Sequence, residues 1–112
     1  MAKSPAPLLQ GTLDLIVLQL LQAEPTNGYD LSLRIQAVSR DVLKVNAGSL
    51  YPALYRLERQ GFIASEWGVT ENNRQARFYK LTGAGRKRLA EERATWERMS
   101  RAVDLVLAMG EG

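Results

Sequence analysis

The stretch from Asn46 to Ile63 constrains this chain more than any other. Leu50, Leu54 and Leu57, with Ala53 beside them, fall at i, i+4 and i+7, so a helix through them carries one apolar stripe. Tyr51, Pro52, Tyr55, Arg56 and Arg59 lie around the rest of it, with no carboxylate among those positions. A helix that had only to stay soluble would mix acids and bases there. Phenols and guanidiniums can instead meet phosphates and base edges. Pro52 fits a first turn, whose N–H groups have no intrahelical partner, and this puts the helix start close to Gly48 or Ser49. Gly61 suits the C′ position that ends the helix.

The flanking sequence supplies the neighbours of this helix. Met1 to Pro7 is a lead-in containing Pro and Ser. A first helix begins between Leu8 and Thr12 and runs to Ala23. Its apolar residues, from Leu13 to Leu21, almost encircle it. Such a helix is covered on more than one side, by its own chain or partly by a second subunit. Glu24 to Gly28 reads as a stop and turn. A second helix follows from Tyr29 to Ser39, with Leu31, Ile35 and Val38 on one face, and Asp41 to Gly48 links it onward. Beyond Gly61, Phe62 to Trp67 and Arg77 to Leu81 read as paired strands around a polar tip, Gly68 to Ala76. Thr82 is placed to cap a last helix that reaches Met109, with Gly83 and Gly85 weakening its first turn.

Three helices, a β-hairpin and a final helix make a chain that is mainly α with a small β-hairpin. This is the order of a winged helix-turn-helix followed by a C-terminal dimerisation helix. The expected division is a DNA-binding unit over residues 1–82 and a dimerisation helix over 83–112 packed on it. On that last helix Leu89, Trp96 and Val103 recur every seven residues, as do Met99 and Val106. The pattern is close to an a/d seam, broken once by Glu92. It has no obvious burial site within the first 82 residues, so Leu89, Trp96, Met99, Val103 and Val106 are assigned to a homodimer contact.

Composition narrows the chemistry. The 112 residues are 46% hydrophobic and 24% charged, which suits one globular domain. A net charge of +3 permits an anionic partner without requiring one. With no cysteine and no histidine, a disulfide scaffold, a zinc site of those ligands and Ser–His or Cys–His catalysis are excluded. The acids fall mostly beside bases, as in Glu58-Arg59 and Glu97-Arg98, and no general acid–base pair stands out. No enzyme activity, metal or cofactor is expected. Gly83-Ala84-Gly85 is no dinucleotide fingerprint, because Arg88 stands where a third glycine is needed. The greasiest run, Leu13 to Leu21, is interrupted by Asp14 and Gln19 and is about half the length of a bilayer span. With Lys3 alone as a basic flank, a signal peptide is not expected either. The expectation is a cytoplasmic protein with no membrane partner.

Gly48-Ser49-Leu50-Tyr51-Pro52-Ala53-Leu54, followed by Leu57-Glu58 and Gly61-Phe62-Ile63, resembles the PadR-like transcriptional regulators. Gly28-Tyr29-Asp30-Leu31 and Tyr79-Lys80-Leu81-Thr82-Gly83-Ala84-Gly85 are similar to the same family. Leu8-Leu9-Gln10-Gly11-Thr12-Leu13-Asp14 and the run Trp67 to Arg74 look like one subfamily, whose genes often lie near permease genes. The resemblance covers nearly the whole chain and fits the short branch, with one helix after the wing. It implies a dimer whose C-terminal helix docks on its twin, two recognition helices in successive major grooves of a palindromic operator on double-stranded DNA, and repression of nearby genes. It also implies a possible planar aromatic small-molecule effector held between subunits.

The candidate DNA contacts are Ser49, Tyr51, Tyr55 and Arg56 on the recognition helix and Asn73, Arg74 and Arg77 at the wing, beside Asn72. Ser49 near a helix N-terminus can hold a phosphate, Arg56 can reach a phosphate or a guanine edge, and a wing guanidinium can enter a minor groove. The plainer alternatives are tyrosines that cover the core edge, a solvated Arg56 and an ordinary polar turn. Tyr29 is divided between backbone contact and packing. Trp96 is either an effector platform or simply an interface anchor. The basic run Arg86-Lys87-Arg88 is read as a solvated face. The function implied is a homodimeric repressor released by a small molecule. The alternative is a winged-helix protein-interaction module without DNA binding.

Overall fold

The computed structural model describes residues 10 to 110. The lead-in, the Leu8-Leu9 start of the first motif and the last two residues lie outside that range. Helix α1 (Gln10–Ala23) precedes three helices that start in the same way: α2 (Gly28–Val38), α3 (Ala47–Arg59) and α4 (Gly83–Ala108). Asn27, Asn46 and Thr82, each extended, accept a side-chain hydrogen bond from the amide three residues on, at Asp30, Ser49 and Gly85. The cap at Thr82 is the one that the sequence suggests.

Helix α3 opens earlier than expected. With Asn46 as its cap, Pro52 falls in the second turn rather than the first. Gly48, whose carbonyl loses its i+4 donor to the proline, lies at an exposed position, where water can replace that donor. The C-terminal end is as read. Gly61 takes φ 83, Gly61 N–H donates to Glu58 O and Phe62 N–H to Leu57 O, both at 3.0 Å. That pair of bonds is a Schellman closure, and it needs a left-handed residue at Gly61.

Three strands form one antiparallel sheet in the order β1 (Thr26–Asn27), β3 (Gln75–Leu81), β2 (Ile63–Val69). The two-stranded hairpin expected from the sequence is thus extended by β1, which lies within the stretch read as a plain turn. Thr26 pairs with Tyr79 and Asn27 with Phe78. Two residues carry no alternation to read, so this strand is defined only by its neighbour. The hairpin strands are also longer than expected, because turn-rich composition masks the ladder between Gly68 and Ala76. Only Thr70 to Arg74 remain as the turn, with Asn73 at φ 60.

The core gathers Val17, Leu18 and Leu21 of α1, Leu31 and Ile35 of α2, the α3 stripe, and Ile63, Tyr79 and Leu81 of the sheet. Helix α1 touches α2, α3, α4 and β3, so its own chain supplies most of its cover. Leu89 belongs to this core at 2% exposure. Its assignment to the dimer seam is therefore corrected: the first turns of α4 cross α1 and bury Leu89 there.

The junction between hairpin and α4 is closely tied. The Thr82 hydroxyl donates to Gly61 O at 2.7 Å, and Thr82 N–H donates to Phe62 O at 3.1 Å. A Cβ on Gly85 would stand 2.0 Å from that same Phe62 oxygen. The glycine that weakens the first turn of α4 is thus what lets the helix pass over the backbone. Past Leu89 the helix runs outward. The longest axis of the molecule is 58 Å and the radius of gyration is 15.9 Å, against about 13 Å for a compact chain of roughly 100 residues.

Candidate nucleic-acid interface

The sheet carries the core outward to this site. Ile63, Ser65 and Trp67 lie opposite Leu81, Tyr79 and Arg77, and these six side chains share one face. At the base Ile63, Leu81 and Tyr79 are buried. Toward the tip Trp67 and Arg77 are exposed. Across from that tip stand the N-terminal turns of α2 and α3. A groove of about 650 Å³ lies between them, with Tyr29, Tyr51 and Tyr55 on one wall and Trp67, Arg74 and Arg77 on the other.

On the helix wall, Asn46 Oδ1 accepts from Ser49 N–H at 2.9 Å. The Ser49 amide is therefore occupied, and the amides of Ala47 and Gly48 are the ones left without an intrahelical partner. Tyr51 is half-buried against α2. A Cβ on Gly28 would stand 2.7 Å from Tyr51 Cε1 and 2.8 Å from its hydroxyl. The ring thus lies flush on the α2 backbone, and its centroid is 6.4 Å from that of the exposed Tyr55. Tyr51 therefore packs against α2 and also lines the groove.

Arg56 is the second correction. Its Nη1 donates to Asp14 Oδ2 at 2.9 Å and its Nη2 to Asp14 Oδ1 at 2.8 Å. This bidentate pair ties α3 to α1 and holds the guanidinium against its own chain, so Arg56 is withdrawn from the candidate DNA contacts. The exposed positions of α3 are then Ala47, Gly48, Ser49, Pro52, Tyr55 and Arg59. None of them is acidic. Glu58, the helix's carboxylate, accepts from the Ser65 hydroxyl at 2.6 Å.

On the hairpin wall, Thr70 N–H donates to Arg74 O at 2.8 Å, and Asn73 N–H donates to Thr70 O at 2.9 Å. These bonds fix a tight tip with Asn72, Asn73 and Arg74 exposed. Arg77 Nε donates to Ser65 Oγ at 3.1 Å, and its Cζ sits 5.3 Å from the centre of the Trp67 ring. Sequence reasoning missed Trp67 as part of this wall, although a tip from Gly68 to Ala76 is centred on Asn72 and already sets Trp67 opposite Arg77. Two carboxylates, Asp30 and Glu71, also reach the groove. Asp30 is engaged by Asn27 Nδ2 at 2.9 Å. Below the groove, burial raises the Tyr79 hydroxyl above its ordinary value of 10.0, Tyr55, Glu58 and Tyr51 add to that rise, and Arg77 opposes it.

The outer part of α4 forms a second, apolar region. Trp96, Met99, Val103 and Val106 stand exposed along one side of it, within the spacing read as a seam. Trp96 also borders an open hollow of about 420 Å³ with Leu15, Ile16 and Leu20 of α1 and Val38 and Leu43, with Arg93 and Glu97 beside it. Arg88 is partly engaged, its guanidinium lying 5.5 Å from the Phe62 ring centre and 2.9 Å from Glu92. Among the described residues, no group of three or more acidic side chains could hold a metal ion, and no helix is long and apolar enough to cross a membrane.

Known proteins are similar to this chain in sequence and fold. The chain is 43% identical over 68 residues to the transcriptional regulator Rv3488 of Mycobacterium tuberculosis (strain ATCC 25618 / H37Rv), across 61% of this chain and 63% of that protein. It is similar to the crystal structure of a PadR family transcriptional regulator from Eggerthella lenta DSM 2243, with 34% identity and a TM-score of 0.72 over 88% of this chain and 83% of that one. A transcriptional regulator from Clostridium thermocellum aligns with a TM-score of 0.78 at 28% identity, over 85% of this chain and 92% of the other. These relatives are regulators rather than enzymes. The sequence profile of the transcriptional regulator PadR-like family matches residues 17–91, well over half of the chain, and the chain belongs to that family.

Proposed function

We propose that this transcriptional regulator is a homodimeric repressor that binds a palindromic operator through the groove between α3 and the hairpin. One observation carries the reading: every exposed position of α3 is uncharged or basic, and Arg74 and Arg77 project from the facing wall. In this reading Ser49, Tyr51 and Tyr55 approach the major groove, while Asn73, Arg74 and Arg77 meet the flanking backbone or minor groove. Residues 1–82 form the DNA-binding unit, and α4 within 83–112 pairs with its twin along Trp96, Met99, Val103 and Val106. The dimer would place its half-sites about 34–36 Å apart, one helical turn of DNA. The setting is cytoplasmic.

A planar aromatic effector at Trp96 completes the proposal. The hollow beside it is lined mainly by apolar side chains, which suits a flat hydrophobic ligand. In a Trp67→Phe background, planar aromatic compounds should quench Trp96 fluorescence. Absence of quenching across a broad panel removes the effector from this site.

Selection of bound fragments from a random DNA pool tests the main reading. Enrichment of a palindrome is the expected result. Arg74→Ala should then weaken binding and lower the slope of log affinity against log salt by about 0.9 for one lost phosphate contact. No enrichment at low salt would favour a protein-interaction module instead.

A further inference from the structure

Glu58, Ser65 and Arg77 lie on three different elements, yet they form one hydrogen-bonded chain. Ser65 Oγ lies 2.6 Å from Glu58 Oε2, and Arg77 Nε lies 3.1 Å from Ser65 Oγ. The direction of both bonds is fixed by chemistry. A guanidinium Nε–H can only donate, and an ionised carboxylate can only accept. The single hydroxyl proton of Ser65 therefore goes to Glu58, and the serine oxygen accepts from Arg77. The short O–H···O⁻ bond has the length expected of a charge-assisted contact.

This arrangement holds Arg77 by its Nε and by a cation–π contact, its Cζ lying 5.3 Å from the centre of the Trp67 ring. Among the described residues its two Nη groups have no hydrogen-bond or ion-pair partner, and Arg77 lines the groove. An arginine with a loose side chain would lose rotamer freedom on meeting a ligand, whereas one already held loses less. The anchor begins on α3 itself, so the wing guanidinium is set in register with the helix that faces it.

We infer that Glu58 and Ser65 are positioning residues that aim Arg77 at DNA and lock the wing to the recognition helix. This rests on the DNA-binding reading of the groove. Neither residue touches DNA in this account. Both act through Arg77, and the Trp67 ring attracts the guanidinium from one side as a cation–π partner.

The test uses the full chain and a labelled duplex taken from the random-pool selection. Ser65→Ala should weaken binding by about five- to tenfold, the effect of roughly one net hydrogen bond felt through Arg77. Ser65→Thr, which keeps the hydroxyl, should restore it. In an Arg77→Ala background, Ser65→Ala should have no further effect. A readout without DNA accompanies these measurements. In a Trp96→Phe background Trp67 is the one tryptophan, and with excitation that selects tryptophan, Ser65→Ala should raise its quenching by acrylamide toward the Arg77→Ala level. Equal loss from Ser65→Ala with and without Arg77, or unchanged Trp67 quenching, overturns the relay and leaves the DNA-binding reading intact. Wild-type affinity in Arg77→Ala overturns both the relay and the role of Arg77. Failure of the wild-type chain to enrich any duplex overturns the reading beneath them.

Discussion

Arg56 and Asp14, 42 residues apart, face each other fork to fork, with both guanidinium Nη groups bonded to both carboxylate oxygens. Their side chains are 24% and 17% exposed, so the pair is largely shielded from water and salt. Removing one partner leaves the other partly buried and uncompensated. Asp14→Ala should therefore lower unfolding free energy by about 1–3 kcal/mol, between the ranges for exposed and buried pairs. Urea unfolding at two salt concentrations measures it, and a loss that vanishes at high salt would mark the pair as a surface contact.

Gly83 and Gly85 make a matched comparison within one turn. Alanine is favoured over glycine in helices by about 1 kcal/mol. A Cβ at Gly83 meets nothing within 4 Å, whereas one at Gly85 would stand 2.0 Å from Phe62 O. Gly83→Ala should leave the midpoint of thermal unfolding unchanged or raise it. Gly85→Ala should lower stability by roughly 2 kcal/mol or more, because the clash is with backbone that cannot rotate away. Equal behaviour of the two variants would contradict the close crossing.

Tyr51 separates packing from recognition. Tyr51→Phe keeps the ring against Gly28 and removes only the hydroxyl. It should leave stability nearly unchanged and reduce operator affinity about fivefold. Tyr51→Ala also opens a gap beside α2 and should cost about 2 kcal/mol of stability besides. Thermal unfolding and gel-shift titration of both variants separate the two contributions.

Tyr79 gives the chain an alkaline sensitivity. Burial, with Tyr55, Glu58 and Tyr51 adding and Arg77 opposing, raises its proton affinity in the fold. The unfolded chain releases this proton near pH 10, while the folded chain still holds it. The stabilisation is thus fully present below pH 10 and is lost as pH rises through the folded value. Stability of the wild type should fall more steeply above about pH 10 than that of Tyr79→Phe. Parallel curves for the two proteins in urea unfolding would count against it.

Legibility in the sequence followed the range of the interactions. The α3 stripe, the Thr82 cap and the Gly61 stop are local patterns, and each lies where periodicity or a single residue type puts it. Strand β1 is too short to carry a pattern, and it exists only because β3 lies alongside. The groove was half legible. The tyrosines and wing arginines are visible as residue types, but nothing near Arg56 in the sequence points to Asp14. The same holds for Leu89, whose heptad spacing says that it is buried but not by which chain.

The riveted junction at Gly61, Phe62, Thr82 and Gly85 has a mechanical consequence. It joins the end of α3, through the base of the hairpin, to the start of α4, so the two helices meet as the arms of a bell crank. At about 1.5 Å per residue, the 26 residues of α4 make an arm of roughly 39 Å. A tilt of about 5° at the fulcrum moves its far tip by roughly 3 Å, more than half of one helical turn. Displacement of the tip, where the apolar side chains stand exposed, is thereby geared down to a small, stiff rotation at the groove.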